Sequence, residues 1–126
     1  PVFISEFGTS AYNINKGEDE DYQLKYISGC WKDIVLNSSN YISPEKKLFG
    51  NSIGGVVFDW VDRWYMDGNP LEHNPGNRPG HSPDNLRHEE WFGIMSMGDG
   101  KDLLLRYPRK VYYYLKDVWS KKSLEF

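Results

Sequence analysis

Two apolar runs constrain the fold of this chain more than any other feature of its sequence. The first covers residues 1–8 (PVFISEFG) and the second covers residues 53–62 (IGGVVFDWVD). Both are rich in β-branched and aromatic residues and acquire carboxylates only towards their C-terminal ends, which is typical of strands buried on both faces of a parallel sheet. The two runs are therefore predicted to be parallel strands that open into loops at the same edge.

The segment between these runs predicts a helix. Carboxylates at residues 18–21 favour the positive end of a helix dipole, and the apolar residues that follow recur on one helical face. That face consists of Leu24, Ile27, Trp31, Ile34 and Val35. We expect a helix at residues 19–37, ended by turn-forming residues and Pro44 before a connection to Gly50. Strand, helix and strand in this order form a βαβ unit, in which ligands bind beyond the carboxyl ends of the strands.

The rest of the chain changes character twice. Residues 63–107 are rich in Gly, Pro, Asn and His and carry many turn signals, so they are predicted to form one long loop, of a kind that is usually functional or disordered. Within it, the apolar residues 91–95 are expected to fold back onto the core. Pro108 suits the first position of a final helix at residues 108–121, and residues 122–126 are interpreted as a tail. Three aromatic residues at helical spacing are predicted to be core residues: Trp31, Tyr114 and Trp119.

Composition narrows the possible functions. The 126 residues suffice for one domain with a modest core, and we interpret them as a fragment of a longer chain. The net charge is −3 without a basic patch, which argues against nucleic-acid binding. Cys30 is the only cysteine, so neither a disulfide framework nor a cysteine metal site is expected. No apolar run approaches the ~20 residues that cross a bilayer. No cofactor or metal is indicated, and a glycosylation sequon begins at Asn37.

A carboxylate at the end of the first strand is the leading candidate for a functional residue. Glu6 interrupts the apolar run just before Gly8, and a charge in such a strand is costly unless it is paired or used. The alternative is a structural carboxylate at a strand end. The histidines at 73, 81 and 88 have no metal-ligand spacing and are predicted to be surface residues. Glu89 and Glu90 are predicted to be a solvated pair, of which one is a possible substrate contact.

The two strand ends resemble a known family. Residues 4–8 (ISEFG) resemble the end of the seventh strand in (β/α)8-barrel glycoside hydrolases of the large retaining clan, where a Glu is the nucleophile. Residues 54–62 (GGVVFDWVD) resemble the eighth strand of family-two enzymes such as β-galactosidases and β-glucuronidases. The resemblance covers residues 1–62 and, by position only, residues 108–120. It implies an α/β fold consisting of the last two βα units of a TIM barrel, with a long irregular loop after the last strand.

The resemblance also implies roles for individual residues. Glu6 would be the nucleophile of a retaining hydrolase of β-linked glycosides, which needs a second carboxylic acid about 5 Å away. Trp60 would be a platform for the sugar, unless it is a core residue. Asp59 and Asp62 would bind sugar hydroxyls, unless both tie loops together or Asp59 is a structural cap. Glu89 and Trp91 would be further substrate contacts.

One expected catalytic residue is missing from the sequence. In this clan the acid/base Glu follows an Asn, and the chain contains no Asn-Glu pair. We therefore expect the chain to supply the nucleophile half of an active site, to be inactive alone, and to associate with the remainder of its barrel or with itself to cover open strand edges. Two rivals are a carbohydrate-binding module derived from a barrel and a structural or interaction domain. A polysaccharide substrate would favour a secreted or cell-surface location.

Overall fold

A computed structural model describes residues 1–38, 50–102 and 104–121 of the chain. The sequon at Asn37, most of the connection to Gly50 and the tail at residues 122–126 therefore lie wholly or partly outside the described residues. The elements are β1 (Val2–Phe7), β2 (Tyr12–Asn13), β3 (Gly17–Glu18), α1 (Glu20–Leu36), β4 (Ser52–Val57), β5 (Arg78–Pro79), β6 (Leu86–Arg87), a 3₁₀ helix (Glu89–Trp91), β7 (Met95–Ser96), β8 (Tyr107–Pro108) and α2 (Lys110–Ser120).

The frame of the fold is the pair β1 and β4, which run parallel with α1 between them in the chain. Phe3 lies opposite Gly54, and Phe7 lies opposite Val57. A Cβ atom on Gly55 would lie 3.0 Å from the Ile34 side chain, so the missing side chain lets α1 approach the sheet closely. The second strand is shorter than residues 53–62 predicted, because regular pairing ends at Val57.

Both ends of α1 are set by side-chain hydrogen bonds. The Asp19 carboxylate accepts a hydrogen bond from the Tyr22 N–H at 3.1 Å, which satisfies one free donor of the first turn. At the other end, the Asn37 amide donates to the Asp33 carbonyl at 2.8 Å. The buried face carries Ile27, Ile34 and Val35, in accordance with the apolar periodicity of the sequence.

The core joins both helices to the end of β1. It consists of Phe7, Ile27, Ile34, Ile94, Met95, Val111 and Leu115. The prediction that Trp119 is a core residue is wrong, since it lies at the surface with its ring edge on Trp31 at a centroid distance of 5.5 Å. Trp31 and Tyr114 are only partly buried. Pro108 belongs to β8, and the N-cap of α2 is Arg109, so Pro108 does not occupy the first helical position.

Several apolar side chains of the parallel sheet are open to solvent. Phe3, Ile53 and Val56 are exposed, with Ile53 reaching 65%. The prediction that both strands are buried on two faces is therefore wrong for the described part of the chain. The reason is that among the described residues β1 and β4 form a sheet of two strands, against which α1 packs.

The segment after β4 is held close to the frame by backbone hydrogen bonds. The Ile94 N–H donates to the Asp59 carbonyl at 2.9 Å, and the Met95 N–H donates to the Trp60 carbonyl at 3.0 Å. Residues 92–95 thus lie beside residues 59–62 and carry Ile94 and Met95 into the core. This contact fixes where the long segment leaves the sheet and where it returns.

Candidate functional site

A cleft lies at the carboxyl ends of β1 and β4, with a volume of about 510 Å³. We call it the Glu6 cleft, because the exposed carboxylate of Glu6 forms part of its wall. The aromatic rings of Phe58 and Phe92 line the cleft, as do Tyr22 and Tyr26 of α1. The hairpin of β5 and β6 contributes the outer wall. The cleft therefore combines one carboxylate with several aromatic side chains, a composition that suits a small polar ligand with an apolar face.

Glycine at position 8 brings Phe58 next to Glu6. A Cβ atom on Gly8 would lie 1.7 Å from the Phe58 carbonyl oxygen, so any other residue would force the two segments apart. The Phe58 N–H donates to the Phe7 carbonyl at 2.8 Å. The Phe58 ring then packs edge-on against Phe92 at a centroid distance of 5.8 Å.

Trp60 does not line the Glu6 cleft. It is 59% exposed, and its ring lies edge-on to Tyr112 of α2 at 6.2 Å. The prediction that Trp60 and Glu6 share one crevice is therefore wrong for this structure. The aromatic residue of the second strand end that does reach the cleft is Phe58, which sequence reasoning missed. Regular pairing stops at Val57, so strand alternation cannot be extended to the residues beyond it.

An arginine that sequence reasoning did not select organises the charges around the cleft. Arg63 Nε lies 3.0 Å from Asp59 Oδ2, and its Nη2 lies 3.2 Å from Glu89 Oε1. The same guanidinium covers the Phe58 ring at 4.5 Å from the ring centroid. Arg87 lies 3.6 Å from the second oxygen of Glu89. Glu89 lines the Glu6 cleft as a carboxylate already paired with two cations, which suits it to accept hydrogen bonds from a ligand.

Asp62 is a buried structural residue rather than a surface contact. Its carboxylate has no exposed area and is held by the Arg109 guanidinium, with Nη1 2.6 Å from Oδ1 and Nη2 2.8 Å from Oδ2. The Gly93 N–H also donates to Oδ1. Burial raises the pKa of Asp62 to about 6, although Arg109 opposes the rise. These contacts fit the alternative that Asp62 ties loops together, since both of its carboxylate oxygens are already bonded within the chain.

Glu90 is likewise buried, so the prediction of a solvated glutamate pair is wrong. Its two carboxylate oxygens accept hydrogen bonds from the Asp67 N–H at 2.8 Å and from the Asn74 N–H at 2.6 Å. Burial raises the pKa of Glu90. The glutamates are neighbours in a 3₁₀ helix and not in an extended chain, and one faces the cleft while the other faces the interior.

Two of the three histidines expose at most 10% of their side chains, contrary to the prediction that they lie at the surface. The His73 ring stacks between Trp91, at a centroid distance of 3.3 Å, and Trp64, at 4.8 Å. Trp91 donates its indole N–H to the Asn74 carbonyl at 3.0 Å. It lies outside the Glu6 cleft, whereas it was expected to contact the substrate there.

His88 is fully buried and bonded to Asp84 at 2.7 Å. His81 alone of the three is exposed, and it lines the cleft.

We expect the ring of His73 to titrate near pH 4. Burial lowers the pKa of His73 from 6.5 to about 4, and the positive charge of Arg109 lowers it in the same direction. The hydrogen bond between the ring and the Glu90 carbonyl acts in the opposite direction and raises the pKa. The unfolded chain therefore binds a proton that the folded chain does not, so His73 lowers stability as the pH falls from about 6.5 to 4. The buried Asp62, 3.8 Å from the ring, acts in the opposite sense, since its pKa is raised. The NMR shifts of the His73 ring protons report the titration of His73 separately from that of Asp62. A titration midpoint above pH 6 would contradict the burial of the His73 ring.

Comparison with protein-family models, with curated proteins and with solved structures gave no significant match. Within residues 1–38, 50–102 and 104–121, no helix combines the length and apolar character required to cross a membrane. The same residues contain no group of three or more His, Cys, Asp or Glu side chains placed to hold a metal ion. A functional assignment must therefore be argued from the Glu6 cleft itself.

Proposed function

We propose that this chain supplies the nucleophile half of the active site of a retaining glycoside hydrolase that acts on β-linked glycosides. The observation that carries the proposal is the position of Glu6, an exposed carboxylate at the carboxyl end of a parallel strand, in a cleft with aromatic walls. Ligands of parallel α/β folds bind at that end of the strands. The resemblance of both strand ends to the last two strands of such barrels supports the same proposal.

The proposed reaction assigns a distinct task to Glu6. Its carboxylate attacks the anomeric carbon, the bond to the leaving oxygen breaks, and a glycosyl-enzyme ester forms. A second carboxylic acid protonates the leaving oxygen and then removes a proton from the water that hydrolyses the ester. Glu89 is a poor candidate for that acid, because its two oxygens face Arg63 and Arg87. In the proposal, the acid/base comes from beyond the described residues.

The rings around Glu6 account for sugar recognition in this proposal. A pyranose presents an apolar C–H face that packs against aromatic rings, while its hydroxyls need hydrogen-bond partners. Phe58 and Phe92 provide rings in the cleft, and Glu89 provides an acceptor. Phe58 thus takes the platform role that the sequence assigned to Trp60.

The open sheet supports a barrel origin. β1 and β4 expose the apolar side chains of Phe3, Ile53 and Val56. In the proposal the chain forms the last two βα units of a (β/α)8 barrel, and the remainder of that barrel covers these side chains and the outer strand edges. Association of the chain with itself is the alternative way to cover them.

The nucleophile assignment is tested by covalent labelling. We expect a 2-deoxy-2-fluoro β-glycoside with a good leaving group to trap a glycosyl-enzyme on Glu6 of the full-length protein, detected as a mass shift of the peptide that contains it. Glu6→Gln should abolish the adduct. Glu72→Gln is the matched control, because Glu72 is exposed and lies outside the cleft lining. An adduct on another residue would refute the assignment.

A non-catalytic carbohydrate-binding function is the second candidate. It is favoured by one observation. The carboxylates that line the cleft are Glu6 and Glu89, and because Glu89 is paired with two arginines, the cleft lining offers no good acid to assist Glu6. In that case the full-length protein would form no adduct. It would still bind β-linked oligosaccharides, and Phe58→Ala would weaken that binding. Labelling and binding together thus separate the two functions.

A further inference from the structure

A second groove, of about 530 Å³, follows the Glu6 cleft along the chain, beginning at Asp59 where the cleft lining includes Phe58. We call it the Tyr65 groove, and its lining includes Asp59, Arg63, Trp64, Tyr65, Pro70 and Arg106. Arg63 connects the two sites, since it lines the groove while its guanidinium contacts Phe58 and Glu89 of the cleft. Asp59, which the sequence grouped with Glu6, lines this groove and is absent from the lining of the cleft.

The groove combines an aromatic face with fixed charges of both signs. The Tyr65 side chain is 69% exposed and offers its ring to solvent. Asp59 is half-buried and anchored by Arg63 at 3.0 Å. Arg106 adds a second guanidinium to the lining. Asp59 and Asp62 balance Arg63 and Arg106 in the lining, so the groove suits an uncharged ligand with many hydroxyls and an apolar face better than it suits an ion.

Trp64 makes the inner wall of the groove rigid. A Cβ atom on Gly100 would lie 2.2 Å from the Trp64 ring, so the backbone packs directly on the indole, and His73 stacks on it at 4.8 Å. Trp64 is itself buried. A fixed wall lowers the entropic cost of binding.

We propose that the Tyr65 groove is a second sugar subsite, which binds another residue of an extended β-linked glycan whose scissile residue occupies the Glu6 cleft. The identity of the ligand rests on the proposed function, whereas the existence of the subsite rests on the groove. The ion pairs of Arg63 with Asp59 and Glu89 hold the two sites at a constant separation. The subsite predicts that affinity grows with the length of the glycan.

The test compares long and short glycans on the full-length protein carrying Glu6→Gln, which prevents turnover. Binding of cellohexaose, laminarihexaose and mannohexaose, and of the corresponding disaccharides, is measured by calorimetry. We expect Tyr65→Ala to weaken binding of the preferred hexasaccharide by about tenfold, the loss of roughly one sugar–ring contact, and to leave the disaccharide within about twofold. Tyr65→Phe should retain most of the affinity, because it keeps the ring.

Tyr113→Ala is the matched control, since Tyr113 is also an exposed tyrosine but lies on α2 outside both linings. An equal loss for long and short glycans in Tyr65→Ala, or no loss for either, would overturn the subsite. Failure of every hexasaccharide to bind the Glu6→Gln protein would overturn it as well. If Glu6 carries no fluoroglycoside adduct but Tyr65→Ala still weakens the hexasaccharide selectively, the catalytic proposal fails and the subsite stands.

Discussion

Replacing Arg109 with methionine should lower the free energy of unfolding by about 3–5 kcal/mol, because it leaves the buried Asp62 carboxylate without its cation. The guanidinium makes two contacts to Asp62, donates to the Gly93 carbonyl at 2.6 Å, and donates from Nε to Glu18 at 2.9 Å. Methionine replaces much of the apolar volume of the side chain but none of these donors. One substitution thus disconnects α2, the Asp62 loop and β3.

Urea unfolding at pH 7 measures this loss. Arg78→Met is the matched control, since Arg78 pairs with Asp67 at the surface and its removal should cost less than about 1 kcal/mol. The double variant Arg109→Met/Asp62→Leu should recover part of the loss, because the unpaired charge is gone. Equal losses in Arg109→Met and Arg78→Met would contradict the buried pair.

The same variant should also respond to pH. Burial already raises the pKa of Asp62 to about 6, and removal of Arg109 takes away an opposing influence, so the pKa rises further. The folded variant then holds a proton that the unfolded chain releases above about pH 4. The contribution of Asp62 to the stability of the variant is therefore greatest at low pH and falls as the pH rises, so the loss relative to the parent sequence should be smaller at pH 5 than at pH 7.

Replacing Glu90 with alanine should lower the free energy of unfolding by about 2–4 kcal/mol. Each of the two backbone N–H groups bound by its carboxylate, at Asp67 and Asn74, would be left without its acceptor, and a buried unsatisfied donor costs about 1–3 kcal/mol. Glu90→Gln should lose less, since it retains an amide oxygen as an acceptor. Glu72→Ala is the control, because Glu72 is exposed on the same segment.

Hydrogen exchange locates the effect of Glu90→Ala. The amides of Asp67 and Asn74 should exchange faster than in the parent sequence, while those of α1 should change only as global stability changes. Unchanged exchange at both amides would show that Glu90 does not hold them.

The parts of the fold that depend on local patterns were predictable. The helix expected at residues 19–37 corresponds to α1 at Glu20–Leu36, because its carboxylates and apolar face lie within one stretch of chain. Glu6 could be singled out because a charge interrupts an apolar strand next to a glycine. Each of these signals can be recognised from a few neighbouring residues.

The rest of the site depends on contacts between distant residues, and the sequence does not encode them in a local pattern. Arg63 meets Glu89 from 26 positions away, and Arg109 meets Asp62 from 47. Burial of His73 and Glu90 follows from such contacts and runs against the usual exposure of these residue types. That Phe58 rather than Trp60 lines the Glu6 cleft has a different cause, because it depends on how the chain turns after Val57.

The hydrogen bonds beside Asp62 have an evolutionary consequence. The Arg63 N–H donates to the Glu90 carbonyl, and the Asp62 N–H donates to the Met95 carbonyl, so the excursion formed by residues 64–89 begins and ends at one narrow neck. Its interior carries Tyr65, the β5–β6 hairpin and Glu89, whereas Glu6 and Phe58 belong to the frame. Insertions, deletions or exchanges within the excursion would therefore reshape the walls around the Glu6 cleft without moving Glu6 itself. Under the proposed function, the choice of ligand and the position of the nucleophile can thus be under separate selection in descendants of this sequence.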